Sequence, residues 1–107
     1  MKTLEKLINK AQRNDNKEAV LNGRMSYDYG QVGNLREKYA VKIDGNIVRL
    51  RHWGTETLVI DTAKRKVVEF YGESNSDRDS MNFMLSEFGV DGRFRYRPSI
   101  DEFSYNK

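Results

Sequence analysis

The chain has 107 residues, a formal charge of +3 and no cysteine. That bounds it to a single small domain, 1–107, and excludes disulfide scaffolds, cysteine-ligated metal centres and thiol nucleophiles. Charged residues make up 33% and hydrophobic ones 37%, so the core is small and leans on one Trp, six Tyr and five Phe, rings that each bury a large area.

Taken in order, Thr3 is placed to cap a helix through LEKLINKAQR, where Leu4, Leu7, Ile8 and Ala11 recur at helical spacing. Asn14-Asp15-Asn16 interrupts it, and KEAVLNGR predicts a short helical turn stopped by Asn22-Gly23. Residues 24–37 lack clean periodicity and read as a loop or an edge strand, with Tyr27 and Tyr29 closing the edge of the core.

The stretch Lys38–Tyr71 reads as an antiparallel meander of four strands. Asp44-Gly45-Asn46 supplies a tight turn, and Gly54-Thr55 and Thr62-Ala63-Lys64-Arg65 break the later runs. Alternation puts Val48, Leu50, Leu58, Ile60, Val68 and Phe70 on one apolar face and Arg49, Arg51 and Trp53 on the other. His52 then falls on the apolar face, where a hydrogen-bonded core histidine is expected.

After a turn at 72–75, Ser76 with Asp79 resembles a capping box. Met81, Met84, Leu85 and Phe88 form the buried stripe of a second helix that Gly89 ends. Asp91-Gly92 leads into RFRYRPS, in which Arg93, Arg95 and Arg97 alternate with Phe94 and Tyr96 as on a strand with a cationic and an aromatic face. Pro98 ends that strand or places it at an edge, and residues 100–107 form a short return strand or fray. The expected fold is therefore α+β, an antiparallel meander of four to five strands packed with an N-terminal helix and a second helix after the meander.

If the last strand joins the meander, its arginines extend the basic face begun by Arg49 and Arg51. Arginine suits phosphate and carboxylate because its planar fork donates two parallel hydrogen bonds, and Trp53 adds a stacking surface. The opposing expectation is a solvated face neutralised by acids such as Glu56, Asp61 and Glu69. His52 is the lone histidine, so neither a zinc site nor a hydrolase finds its partner residues, and no nucleophile elbow or phosphate loop is present. The reading expects no catalysis, no cofactor and no metal. Local acidic patches at Asp28, Glu37 or 73–79 would suit mimicry of nucleic acid, which the net positive charge opposes.

Trp53-Gly54-Thr55, Ser74 to Asp79 and Leu85 to Gly89 together resemble a pattern of small phage and mobile-element accessory proteins: an aromatic-Gly-Thr strand end, a Ser/Thr-rich helix cap and a helix ending in Gly. The resemblance implies an inhibitor of host defence of the anti-CRISPR kind, acting in the bacterial cytoplasm on a CRISPR effector nuclease or its nucleic acid. The residues expected to anchor the partner are Arg49, Arg51, Trp53, Arg93, Arg95 and Arg97. The alternative is a small basic nucleic-acid-binding module using the same face. An exposed C-terminal edge strand would permit a homodimer. No run approaches the roughly 20 apolar residues of a membrane span, so no membrane partner is expected.

Overall fold

A computed structural model describes residues 1–26 and 32–107, without the side chains of residues 25, 26 and 32. The order of elements is α1 (Lys2–Arg13), β1 (Glu18–Ser26), β2 (Val32–Asp44), β3 (Ile47–His52), β4 (Thr55–Asp61), β5 (Lys66–Phe70), α2 (Asn75–Glu87), β6 (Arg93–Arg97) and β7 (Glu102–Asn106). The first five strands form one antiparallel sheet in sequential order, and β6 pairs with β7 in a separate two-stranded sheet. The class is α+β, as expected.

Helix α1 lays Leu4, Leu7, Ile8 and Ala11 onto the sheet, all buried. Thr3 does not cap it. The helix starts two residues earlier, with Met1 at the cap position and no side-chain cap bond. The segment expected to be a helical turn is β1 instead. Ala19 is buried and Val20 exposed, a two-residue alternation, and β1 gives the edge of β2 a hydrogen-bonded neighbour. Three apolar residues in a row were too few to distinguish the two periods. Tyr27, Tyr29 and Asp28 lie outside the described residues.

The meander follows the expected turns. At Gly45-Asn46 only the glycine has positive φ, 57°, the pattern of a two-residue turn whose twist matches antiparallel strands. Val48, Leu50, Leu58 and Ile60 form the core face. Val68 does not join them. The register shifts between Val59 and Ile60, so Ile60 opposes Val67 and Val59 opposes Glu69, leaving Val68 as the extra, exposed residue of a bulge.

Helix α2 begins two residues before the expected box. Ser74 is its cap, and Ser74 Oγ accepts from the Asp77 backbone N–H at 3.0 Å. Met81, Met84 and Leu85 are buried. At the other end Gly89 takes φ 64° while the Val90 N–H donates to Leu85 O and the Gly89 N–H to Ser86 O, which satisfies carbonyls the helix leaves open.

The last strand does not join the meander. Phe94 and Tyr105 oppose each other across β6–β7, and so do Tyr96 and Phe103. Their shared face meets Phe70, whose ring centroid is 5.2 Å from Phe94 and 6.0 Å from Tyr105. Aromatic packing therefore docks this ribbon against the end of β5 rather than pairing it there. Close approach requires a residue without Cβ at position 72, because a Cβ there would clash with the edge of the Phe103 ring. Gly72→Ala is accordingly expected to lower the unfolding free energy by about 1–3 kcal/mol through overpacking, measured from the midpoint of urea denaturation.

Candidate functional site

The six residues expected to anchor a partner fall into three separate places. On the open face of the meander, Arg49 Nη1 donates to Glu56 Oε1 at 3.0 Å. Arg51 is held more firmly. Its Nε donates to Glu37 Oε1 at 2.8 Å and its Nη2 to Glu18 Oε1 at 2.8 Å. These bonds, Glu37 first, hold the guanidinium still further above its already high ordinary value. Arg49 opposes Val59 and Arg51 opposes Ala40, both buried, so the aliphatic stems roof small apolar residues that the open face would otherwise expose. Glu37 is tied up by the same ion pairs, so it is no free acid for mimicry of nucleic acid.

The second place is β6. Arg93, Arg95 and Arg97 stand on its outer face across from Asn106, Ser104 and Glu102. Alternate residues on a strand are about 7 Å apart, so three cations are lined up at regular spacing. None of the three forms an ion pair among the described residues, where every pair of that kind involves Arg49, Arg51, His52 or Arg78.

The row lines a groove of about 580 Å³ beside α2, together with Arg78 and Asp79. Asn82 positions it. The Phe94 N–H donates to Asn82 Oδ1 at 2.7 Å, and Asn82 Nδ2 donates back to Phe94 O at 3.0 Å. A helix side chain thus takes the hydrogen bonds of a neighbouring strand, with Phe94 fully buried beneath. Arg78 bonds to Asp79 and Asn75, so its charge is partly spent. Lys64, Arg65 and Lys66 lie in and after the β4–β5 turn, at the end of the meander away from Trp53.

Trp53 occupies the third place. It does not share the Arg49/Arg51 face, because it and Gly54 are the central residues of the β3–β4 turn, at φ 52° and 84°. Such a turn favours Asn-Gly. A bulky side chain in the left-handed region costs about 1–2 kcal/mol. Trp53 lies beside a cleft of about 560 Å³ formed by the β3–β4 turn, Arg36, Tyr71 and the first turn of α2.

At the base of this cleft His52 is buried, as expected of a core histidine, and stacks on Tyr39 with centroids 4.5 Å apart and planes at 8°. Its Nδ1 is 2.6 Å from Asp77 Oδ1. Asp77 Oδ2 accepts from the Glu73 N–H at 3.0 Å, so the carboxylate faces inward with both oxygens bonded. Thr57 also turns in. A bulge between Leu50 and Arg51 leaves it unpaired and 1% exposed, an irregularity of the kind that re-aims a side chain.

Sequence reasoning missed Asp77, Asn82 and Arg36. Asp77 carried a signal, since it lies four residues before Met81 on the apolar stripe, and a carboxylate there needs a buried partner. The one histidine, already placed on the core face, was that partner. Asn82 carried none, because its role depends on where β6 docks. Among the described residues no three His, Asp or Glu side chains converge as a metal site would require, and no helix is long and apolar enough to cross a membrane. No family model, curated protein or solved structure matches the chain.

Two measurements test this geometry. A double-mutant cycle on His52→Ala and Asp77→Ala is expected to give a coupling of about 1–3 kcal/mol; additive effects would mean that the bond contributes nothing. Burial, the first cause, pushes the Tyr39 phenol above its ordinary 10.0, with Asp77 and Asp79 adding and the Ser80 hydroxyl opposing. The unfolded chain then ionises first, so this stability is complete below about pH 10 and is lost as pH rises toward the folded value. Tyr39→Phe is expected to flatten the loss of urea resistance as the pH rises above about 10.

Proposed function

We propose that this chain is a non-enzymatic binding protein that engages an anionic partner through the Arg93–Arg95–Arg97 row, and that the partner is a bacterial defence nuclease inhibited by direct contact. The observation that carries the binding surface is that row: three arginines at regular spacing, unpaired among the described residues, with neutral Ser104 and Asn106 opposite two of them. Like charges held side by side raise the local potential, which an anion relieves. A guanidinium gives such an anion two parallel hydrogen bonds, and arginine is enriched among interface hot spots. The nuclease as target, and an inhibitor of the phage type acting in the host cytoplasm, rest on the resemblance of Trp53-Gly54-Thr55, Ser74 to Asp79 and Leu85 to Gly89.

Arg49 and Arg51 enter this reading differently. Their acids already hold them, so their exchange into a complex requires breaking bonds within the fold, and the β6 row is the stronger anchor. The second reading, a nucleic-acid-binding module, uses the same row against phosphates. It is favoured by the regular cation spacing and opposed by the small number of cations in the row, since affinity for a polyanion grows with the phosphates neutralised.

The deciding experiment compares the wild type with Arg93→Glu/Arg95→Glu in two assays. One is co-elution with, and inhibition of, purified CRISPR effector nucleases. The other is binding to labelled single- and double-stranded DNA and RNA across a salt titration. The inhibitor reading expects a nuclease complex that the double variant abolishes, with no salt-sensitive binding to naked nucleic acid. Salt-sensitive binding whose slope of log affinity on log salt falls by about 2 in the variant establishes the nucleic-acid module instead. Unchanged binding by a folded variant in both assays overturns the site.

A further inference from the structure

The cleft at the His52 end of the meander is separate from the arginine row. Its occupant can be argued from what its walls leave unsatisfied. Asp77 is spent on His52 and on the Glu73 N–H. Glu73 in turn accepts from the Tyr71 hydroxyl at 3.0 Å. Both acids are thus engaged within the fold. Arg36 makes no ion pair among the described residues, which leaves one available cation beside the cleft.

The floor carries a second open group. With Nδ1 committed to Asp77, the other ring nitrogen of His52 makes no hydrogen bond among the described residues. His52 borders the cleft. A neutral imidazole that donates through Nδ1 to a carboxylate presents Nε2 as an acceptor.

The mouth is the most unusual part. Trp53 holds the left-handed conformation at a turn position where asparagine fits without strain. Among the described residues its ring neighbour is His52, at 6.0 Å and tilted by 31°, so none of those rings stacks flat on the indole. Half-buried and strained, Trp53 keeps a side chain that its backbone disfavours, and strained residues cluster at ligand sites.

A π-face at the rim, an acceptor on the floor and one lone cation match a planar heterocycle with donor groups on its edge and a single anionic substituent. We propose that this cleft binds a nucleotide unit, with the base stacked on Trp53, the base or sugar edge hydrogen-bonded to His52 Nε2, and the phosphate held by Arg36. The volume of about 560 Å³ lies within the roughly 300–1,000 Å³ of small-molecule sites. Stacking on an aromatic side chain tolerates any base, so all four bases are expected to bind.

Trp53 is the one tryptophan in the chain, so its fluorescence reports this site alone. Nucleoside monophosphates are expected to quench it saturably, the parent nucleosides more weakly, and inorganic phosphate not at all. Arg36→Ala, an exposed change that leaves the core intact, is expected to weaken the monophosphate roughly tenfold and leave the nucleoside unchanged. Quenching by a 5′-phosphorylated oligonucleotide in place of the free monophosphate would identify the source as a strand end and keep the assignment.

Trp53→Asn separates ligand binding from folding. If the indole is kept for a ligand, the variant unfolds about 4–8 °C higher and shows no nucleotide binding by calorimetry. A lower unfolding temperature would make Trp53 a packing residue and overturn the proposal. So would the absence of saturable quenching by any of the four monophosphates in the millimolar range.

Discussion

The bond between His52 Nδ1 and Asp77 Oδ1, 2.6 Å long and buried at both ends, is the constraint from which the rest of the molecule is set out. It joins the last residue of β3 to the first turn of α2, two elements 25 residues apart in the chain. Strands that pair in sequence hold one another in place, but a helix that follows a meander has no ladder to fix its position. Burying a carboxylate and an imidazole is costly unless they meet, so α2 docks where they can. The same carboxylate accepts from Glu73 N and the cap hydroxyl of Ser74 accepts from Asp77 N, so the interaction that seats the helix also organises its start.

From that seat the helix projects Asn82 to the backbone of Phe94 on both its donor and its acceptor side. The β6–β7 ribbon is thereby held by a side chain along one strand and by aromatic rings on one face, where Phe94 meets Phe70, Phe103 and Tyr105. Its outer face is left to solvent with its arginines. One helix thus positions two surfaces: the cleft at its N-terminus and the groove along its side.

The contrast between the two sets of arginines follows from topology. In the five-stranded sheet each interior strand has two neighbours, so Arg51 on β3 finds Glu37 on β2 and Glu18 one strand further. On a two-stranded ribbon β6 has one neighbour, and that neighbour offers Asn106, Ser104 and Glu102. The same residue type is structural in one sheet and available in the other. Trp53 shows the converse arrangement, a costly conformation kept at a cleft, because the turn joining β3 to β4 has only two residues.

By itself the sequence determined what depends on short-range periodicity and turn chemistry: the stripe of α1, the strands between Lys38 and Tyr71, the methionine stripe of α2 with its glycine stop, the core placement of His52, and the alternation of arginine with aromatics on β6. Each is set by residues a few positions apart. Tertiary structure alone decided the rest. Residues 18–26 became a strand because β2 had an edge to fill, Val68 left the core face because of a bulge, and β6 stayed out of the meander because its rings found Phe70. Whether an arginine is neutralised, and which acid meets the histidine, are likewise questions of long-range neighbours. Their answers depend on desolvation and packing between segments tens of residues apart, and no local pattern encodes those.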